Sequence, residues 1–205
     1  MFMEVLVEGG SDIPAVKEIL QRRFNLIENT NFRIHPHRGK GKLPDNLLSK
    51  PDPMNRGLLD QLPAKLRGFA KTPGHFCVVV LLDADDDDPY ELQSRLEEIC
   101  RNMNPRPSCA LFRIAVEETE SWYIADTNAI KKAYPSAKLN KIPNVPPDSI
   151  IGAWECLALV LGRKPKECVG ADKHEWSTHI SPHLDLESPN SPSLRNFILG
   201  VNDLI

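Results

Sequence analysis

Hydrophobic positions along this chain fall into short unbroken runs that alternate with longer stretches of helical spacing. Glu4–Val7 is an apolar, β-branched run that stops at Glu8-Gly9-Gly10, which reads as a buried strand ending in a tight turn. Ser11 or Asp12 is positioned to cap a helix, Pro14 suits its first turn, and Ile13, Val16, Ile19, Leu20 and Phe24 recur at helical spacing. Phe32–His35 is a second predicted strand, leading into the basic loop His37-Arg38-Gly39-Lys40-Gly41-Lys42. Leu59, Leu62 and Leu66 predict a helix over Leu58–Phe69. Cys77–Leu82 (CVVVLL) has no polar alternation, as expected of a central parallel strand covered on both faces. A helix over Tyr90–Arg101 follows, with Leu92, Leu96 and Ile99 inward, and then a fourth strand over Ala110–Val116. Ser121–Ala125, Ala129–Tyr134, Ala153–Leu161 and Leu194–Leu204 are the remaining predicted helices. The tail also holds Asp172-Lys173-His174, and the chain has no internal repeat.

Alternation of strand and helix predicts an α/β fold: a Rossmann-type, mostly parallel central sheet of about four strands, with helices on both faces. The length of 205 residues suits one domain. We expect an α/β core over 1–135, then a proline-rich connection and a small helical C-terminal extension over 136–205 packed on it. In open parallel sheets, ligands bind outside the carboxyl ends of the strands. Three of the predicted strands end in acid, at Glu8, at Asp83 and Asp85, and at Glu117–Glu120. The topology would therefore gather carboxylates that are far apart in sequence.

Composition narrows the function. The formal net charge is −3, so binding to nucleic acid cannot rest on a broadly basic surface and needs local cations or metal ions. The 18 prolines cluster in Pro36–Pro63, Pro143–Pro147 and Pro182–Pro192, marking loop-rich zones. The five cysteines form no Cys-x-x-Cys pair, and Cys77 and Cys109 lie in apolar runs that suit buried free thiols. Neither a zinc ribbon nor a disulfide framework is expected. The N-terminal residues lack a basic segment followed by a long apolar one, and no run approaches the roughly 18 apolar residues of a membrane span. A cytoplasmic protein is expected, with no membrane partner.

Carboxylates crowded at one edge need cations or protons. Two unit charges about 4 Å apart repel by roughly 4 kcal/mol at an effective dielectric near 20. Mg²⁺, or Mn²⁺ in its place, takes oxygen ligands and bridges carboxylates to phosphates. Asp-x-Asp directly after a buried strand sets two carboxylates on one side of a turn. Asp86–Asp88 fit a solvated turn at a helix N-terminus instead.

Two segments also carry a family resemblance. Val7-Glu8-Gly9-Gly10-Ser11-Asp12 and Leu81-Leu82-Asp83-Ala84-Asp85 resemble the two signatures of the Toprim domain, a strand ending in Glu-Gly and a strand ending in Asp-x-Asp. Glu8 with Asp12, and Glu118-Thr119-Glu120, resemble the acidic pairs of OLD-type Toprim nucleases. His35–Lys42, Arg113–Trp122 and Gly170–Lys173 resemble small stand-alone Toprim-like proteins, whose genes often lie beside those of AAA- or ABC-type ATPases in bacterial defence loci. The resemblance implies metal-dependent phosphodiester hydrolysis of DNA or RNA. Glu8, Asp83 and Asp85 would be core metal ligands, Glu8 alternatively the general acid or base. Asp12, Glu118 and Glu120 would complete a second metal site or its surroundings, and Lys173 would stabilise phosphate charge. It further implies an AAA/ABC-type ATPase partner in an anti-phage system, and a homo-oligomer is compatible with it. A topoisomerase would need a tyrosine from a companion domain; only Tyr90, Tyr123 and Tyr134 are present.

Other residues carry weaker signals. Arg33, Arg38, Lys40 and Lys42 are candidate phosphate contacts, against a plain solvated loop. The loop is not a Walker sequence, which needs Gly-x-x-x-x-Gly-Lys-Ser/Thr. His35 and His37 suit strand-end hydrogen bonding more than metal binding. His174, His179 and His183 have no metal-ligand spacing. Trp122, Tyr123 and Trp154 fit a core better than a base-stacking surface. Besides a nuclease, two readings stay open: a non-catalytic nucleic-acid-binding or regulatory subunit on a Toprim scaffold, and a phosphoryl-transfer enzyme with a small substrate.

Overall fold

The computed structural model describes residues 1–205. Strand β1 (Phe2–Val7) is followed by α1 (Asp12–Phe24), β2 (Phe32–Pro36), α2 (Leu58–Phe69), β3 (Phe76–Asp83), α3 (Pro89–Asn102) and β4 (Ala110–Ala115). Then come α4 (Glu120–Ala125), α5 (Thr127–Ala133), α6 (Ala153–Val160), α7 (Gly170–Ile180) and α8 (Pro192–Asn202). All pairings in the four-stranded sheet, ordered β2-β1-β3-β4, are parallel. β1 and β3 are central, which explains why their sequences are nearly unbroken in apolar residues: both faces must be covered.

The period-2 alternation of side chains divides the core in two. Leu6, Val78, Val80 and Leu82 face Leu58, Leu62 and Leu66 of α2 and Leu92 and Leu96 of α3. Val5, Val7, Val79 and Leu81 face the larger cluster, built from Val16, Ile19 and Leu20 of α1 together with Trp122, Leu157, Trp176 and Phe197. Trp122 and Tyr123 are fully buried, so they are core residues as their spacing predicted. The C-terminal helices share this cluster with β1 and β3. Trp122 donates its indole N–H to Ser193 Oγ at 2.8 Å, and Tyr123 meets Ser177 Oγ at 2.8 Å. No helix is long and apolar enough to cross a membrane.

Three local expectations are corrected. Helix α7 was not legible, because only Trp176, Ser177 and Ile180 are buried and the rest of its length is polar. Cys100, not Ile99, completes the buried stripe of α3. Cys77 and Cys109 are not free thiols but form a disulfide across 32 residues. The register explains it: Val78 pairs with Ala110, so the residues just before each stand side by side, with Cα atoms 4.6 Å apart. The remaining three cysteines are free.

Candidate functional site

The carboxyl ends of β1, β3 and β4 open onto one edge, and the turns that follow them are laced together by backbone bonds. Ala84 N–H donates to Ala115 O at 2.8 Å, and Asp85 N–H to Glu117 O at 3.0 Å. Asp85 and Glu117 take positive φ, 48° and 61°, a strained region for non-glycine residues that these cross-loop bonds hold in place. The edge carries two groups of carboxylates that meet at Asp83.

The first group is Glu8, Asp85 and Lys40. Glu8 Oε1 accepts the Asp83 N–H at 2.9 Å, which leaves Oε2 without a protein partner. Lys40 reaches in from the loop after β2. Its Nζ donates to Ala84 O at 2.6 Å and lies 3.3 Å from Asp85 Oδ2 and 2.8 Å from Asp87 Oδ2. Only 14% of this side chain is exposed, so Lys40 is a built part of the edge and not a solvated loop cation. Asp87, expected to be a free turn residue, pairs with it. Asp88 behaves as the sequence predicts, capping α3 by accepting the N–H groups of Tyr90 and Glu91, each at 2.9 Å.

The second group is Asp12, Asp83, Glu118, Glu120 and Lys173. Asp83 Oδ1 accepts the Thr119 N–H at 3.1 Å, and Thr119 Oγ1 donates to Asp12 Oδ1 at 3.1 Å. Asp12 Oδ2 accepts the Gly9 N–H at 2.9 Å. Neither Ser11 nor Asp12 therefore caps α1 forward as expected; Asp12 reaches back to the turn and ties it to Thr119. Lys173, presented by α7, lies 3.2 Å from Glu118 Oε1 and 3.7 Å from Glu120 Oε1, with Nζ 5.1 Å from the centre of the Trp154 ring. Glu118 Oε2 accepts the Trp154 N–H at 2.9 Å.

Burial and crowding push these acids toward their protonated forms. Burial, then the Asp85 and Asp12 charges, raise Glu8 to about 7 against the pull of the Asp83 N–H. Burial raises Glu120 to about 7 even with Lys173 beside it. Asp83 is raised well above its usual value by burial and by Asp12, Glu8, Glu120 and Glu118 together, and Asp12 is raised mainly by burial. Burial works against the charge on Lys40 and on Lys173, but the adjacent carboxylates more than offset it, and both are raised.

Oxygen donors whose ionisation is held back first by burial and then by mutual repulsion fit a hard divalent cation, which would neutralise them. No three acidic, histidine or cysteine side chains converge at metal-ligand distance in this structure. The six acids predicted as ligands thus do not form a ready cage; they stand as two lysine-paired groups. Mg²⁺ keeps several waters and is often held by one or two carboxylates, so such a cage is not required for it.

The other sequence candidates divide clearly. Lys42 is exposed, and its backbone N–H bonds Asp60 Oδ1 at 3.2 Å. Arg38 is exposed next to the edge, since the flanking His37 and Gly39 N–H groups donate to Val7 O at 3.1 Å and Glu8 O at 2.9 Å. Arg33 does not belong to the site: it pairs with Glu4 near the start of β2, about 10 Å short of the strand's carboxyl end at 3.3 Å per residue. His35 bonds Glu4, and His37 Nδ1 lies 2.8 Å from Val7 O, so neither is bonded to the carboxylates of the edge. Thr119, Asp87 and His174 were missed. His174 Nδ1 lies 2.9 Å from Gly10 O. Thr119 looks like any small polar residue in sequence, and only the approach of α1 to the β4 turn gives it a partner.

Fold and site together define an open parallel α/β protein with a lysine-paired carboxylate edge at the ends of its central strands. The chain belongs to the family described as "Domain of unknown function (DUF4276)", whose profile matches residues 7–202. Its structure is similar to that of the C-terminal region of the Burkholderia pseudomallei OLD protein, with a TM-score of 0.47 and 14% sequence identity over 98% of this chain and 97% of that one. A search of curated proteins found no match.

Proposed function

We propose that this protein is a divalent-metal-dependent nuclease that hydrolyses phosphodiester bonds of DNA or RNA at the acidic edge, as the effector of an ATPase-coupled defence system. The observation that carries this reading is that Glu8, Asp83 and Asp85 share one edge at the ends of two central strands, with Glu8 bonded to the Asp83 N–H and the turns tied by backbone bonds. The ATPase partner and the defence setting rest on the Toprim-like sequence resemblance alone.

Glu8 Oε2 and Asp83 Oδ2 have no protein partner, and with Asp85 they would hold Mg²⁺ or Mn²⁺. Asp12, Glu118 and Glu120 would hold a second ion or orient the first group. When bound, the metal lowers the pKa of its water and offsets charge on the phosphate oxygens. Alternatively, if the metal rests on the aspartates alone, Glu8, raised to about 7, is suited to take a proton from the attacking water near neutral pH. Lys40 and Lys173 neutralise the carboxylates in the metal-free protein. With a metal offsetting those carboxylates, the two ammonium groups would be available to meet phosphate charge developing in the transition state.

The direct test is incubation of purified protein with DNA and RNA in Mg²⁺ or Mn²⁺, with and without its ATPase partner. Cleavage that is lost in Asp83→Ala and Glu8→Gln supports the reading. No cleavage of any substrate, with full biological activity in both variants, would end it. The lysine pairing and the lack of a preformed cage favour one alternative, a non-catalytic nucleic-acid-binding or regulatory subunit. Calorimetry showing no divalent-metal binding at millimolar concentration would select it.

A further inference from the structure

The loop after β2 does more than deliver Lys40. Its backbone is seated on the N-terminus of α2: Leu58 N–H donates to Gly39 O at 2.9 Å and Leu59 N–H to Lys40 O at 2.7 Å. Gly41, at φ +67°, lies against Gly57 and Asp60 so closely that a Cβ on either glycine would collide. Arg38 N–H donates to Arg56 O at 3.0 Å, which sets the two arginines side by side across this seam. Both line one cavity of about 390 Å³, together with Gly41, Asn55 and Asp60.

The cavity is electropositive by construction. Asp60 is its single acid, and both carboxylate oxygens face backbone donors, Gly57 N–H at 3.1 Å and Lys42 N–H at 3.2 Å. Arg56 spends only Nε, on Pro53 O at 3.1 Å, so its two terminal nitrogens are uncommitted. Arg38 makes no side-chain hydrogen bond or ion pair; its neighbours Gly39 and Lys40 touch Glu8 O and Asp85. Another arginine-lined cavity, with Arg101 and Arg106, lies by Ser108 and Ala110 at the amino end of β4, away from the acidic edge.

We infer that the Arg38–Arg56 cavity is an anion subsite that binds a backbone phosphate of a nucleic-acid strand, next to the phosphodiester held at the acidic edge. The inference rests on the nuclease reading and narrows it: the substrate is a polynucleotide with a phosphate beyond the scissile one, not a mononucleotide. Two planar guanidinium forks with free N–H groups match phosphate oxygens bidentately. Lys40, next in the chain to Gly41 of the cavity, bonds Asp85 and so links the cavity's loop to the acidic edge.

The test is binding of fluorescein-labelled single-stranded DNA and RNA oligonucleotides to the full chain in Ca²⁺, followed by anisotropy over a salt series. Arg38→Gln and Arg56→Gln are each expected to weaken binding about tenfold and to flatten the slope of log affinity against log salt by about one. Arg33→Gln, an exposed cation outside the site, is the control and should change neither. Equal losses with both oligonucleotides place the contact on phosphate; a loss confined to one identifies the preferred strand. Unchanged affinity and slope in the Arg38→Gln/Arg56→Gln double variant, with an unaltered melting temperature, overturns the subsite. So does failure of the wild type to bind either strand. If the arginine variants weaken binding but the wild type never cleaves, the subsite stands and the nuclease reading falls. If cleavage is robust and the arginines are dispensable, the reverse holds.

Discussion

Glu120→Gln should stabilise the metal-free protein at alkaline pH and do nothing of the kind at pH 5. Glu120 is 3% exposed, and the nearest cation, Lys173 Nζ, stands 3.7 Å away. Burial raises its pKa to about 7 from an unfolded value of 4.5. A carboxyl raised in the folded state contributes stability that is fully present below about 4.5 and is lost as pH rises through 7. Above that, the folded chain carries the cost of the buried charge, roughly 3 kcal/mol at 1.36 kcal/mol per pKa unit. Glutamine keeps the shape without the charge, and Lys173 keeps Glu118 at 3.2 Å. Part of the gain is offset by a buried amide, so we expect about 2 kcal/mol at pH 8.5. That corresponds to a rise in melting temperature of roughly 4–8 °C for a chain of this size. The assay is differential scanning fluorimetry from pH 5 to 8.5 in EDTA. Both should lose stability across the window, because Glu8, Asp12 and Asp83 also titrate upward, but the variant should lose less than the wild type by the Glu120 share. If the two melting curves stay a constant distance apart at every pH, the account of Glu120 as a strained buried acid is wrong.

Three further outcomes are expected. Lys173→Met leaves Glu118 and Glu120 without their cation and should cost about 3–5 kcal/mol at pH 8, with a smaller loss near pH 5 where Glu120 holds its proton; chemical denaturation at the two pH values measures it. Mn²⁺ affinity, read by titration calorimetry, should climb as pH rises toward 7 and then level, because the proton on Glu8 must leave before metal binds there; a flat profile would count against Glu8 as a ligand. Reducing the Cys77–Cys109 bond, which closes a loop spanning 32 residues, should lower stability by about 3–4 kcal/mol; equal melting temperatures with and without reductant would remove it from the folded protein.

The sequence alone determined the layered plan. Unbroken apolar runs at Glu4–Val7 and Cys77–Leu82 can be satisfied only by strands covered on both faces. The helical spacing of Leu59, Leu62 and Leu66 bounds α2 at the residues observed. Because a parallel sheet sends every strand the same way, acids following three strands had to reach a common edge, so Glu8, Asp83 and Asp85 were legible before any coordinates. Helix α7 was not, since its polar residues serve partners elsewhere in the fold and erase its periodicity.

What only the tertiary structure decided is how those acids are held and which cations serve them. Lys40 and Lys42 are near-equivalent in the sequence, yet the seating of Gly41 on α2 sends Lys40 to Asp85 and leaves Lys42 exposed. Arg56 carried no signal until its carbonyl met the N–H of Arg38. Thr119 needed the approach of α1, and the Cys77–Cys109 bond needed the register of β3 on β4. Local patterns specify which face of an element is buried. Contacts between residues distant in the chain depend on register, loop seating and helix approach, and those are set only when the whole core packs.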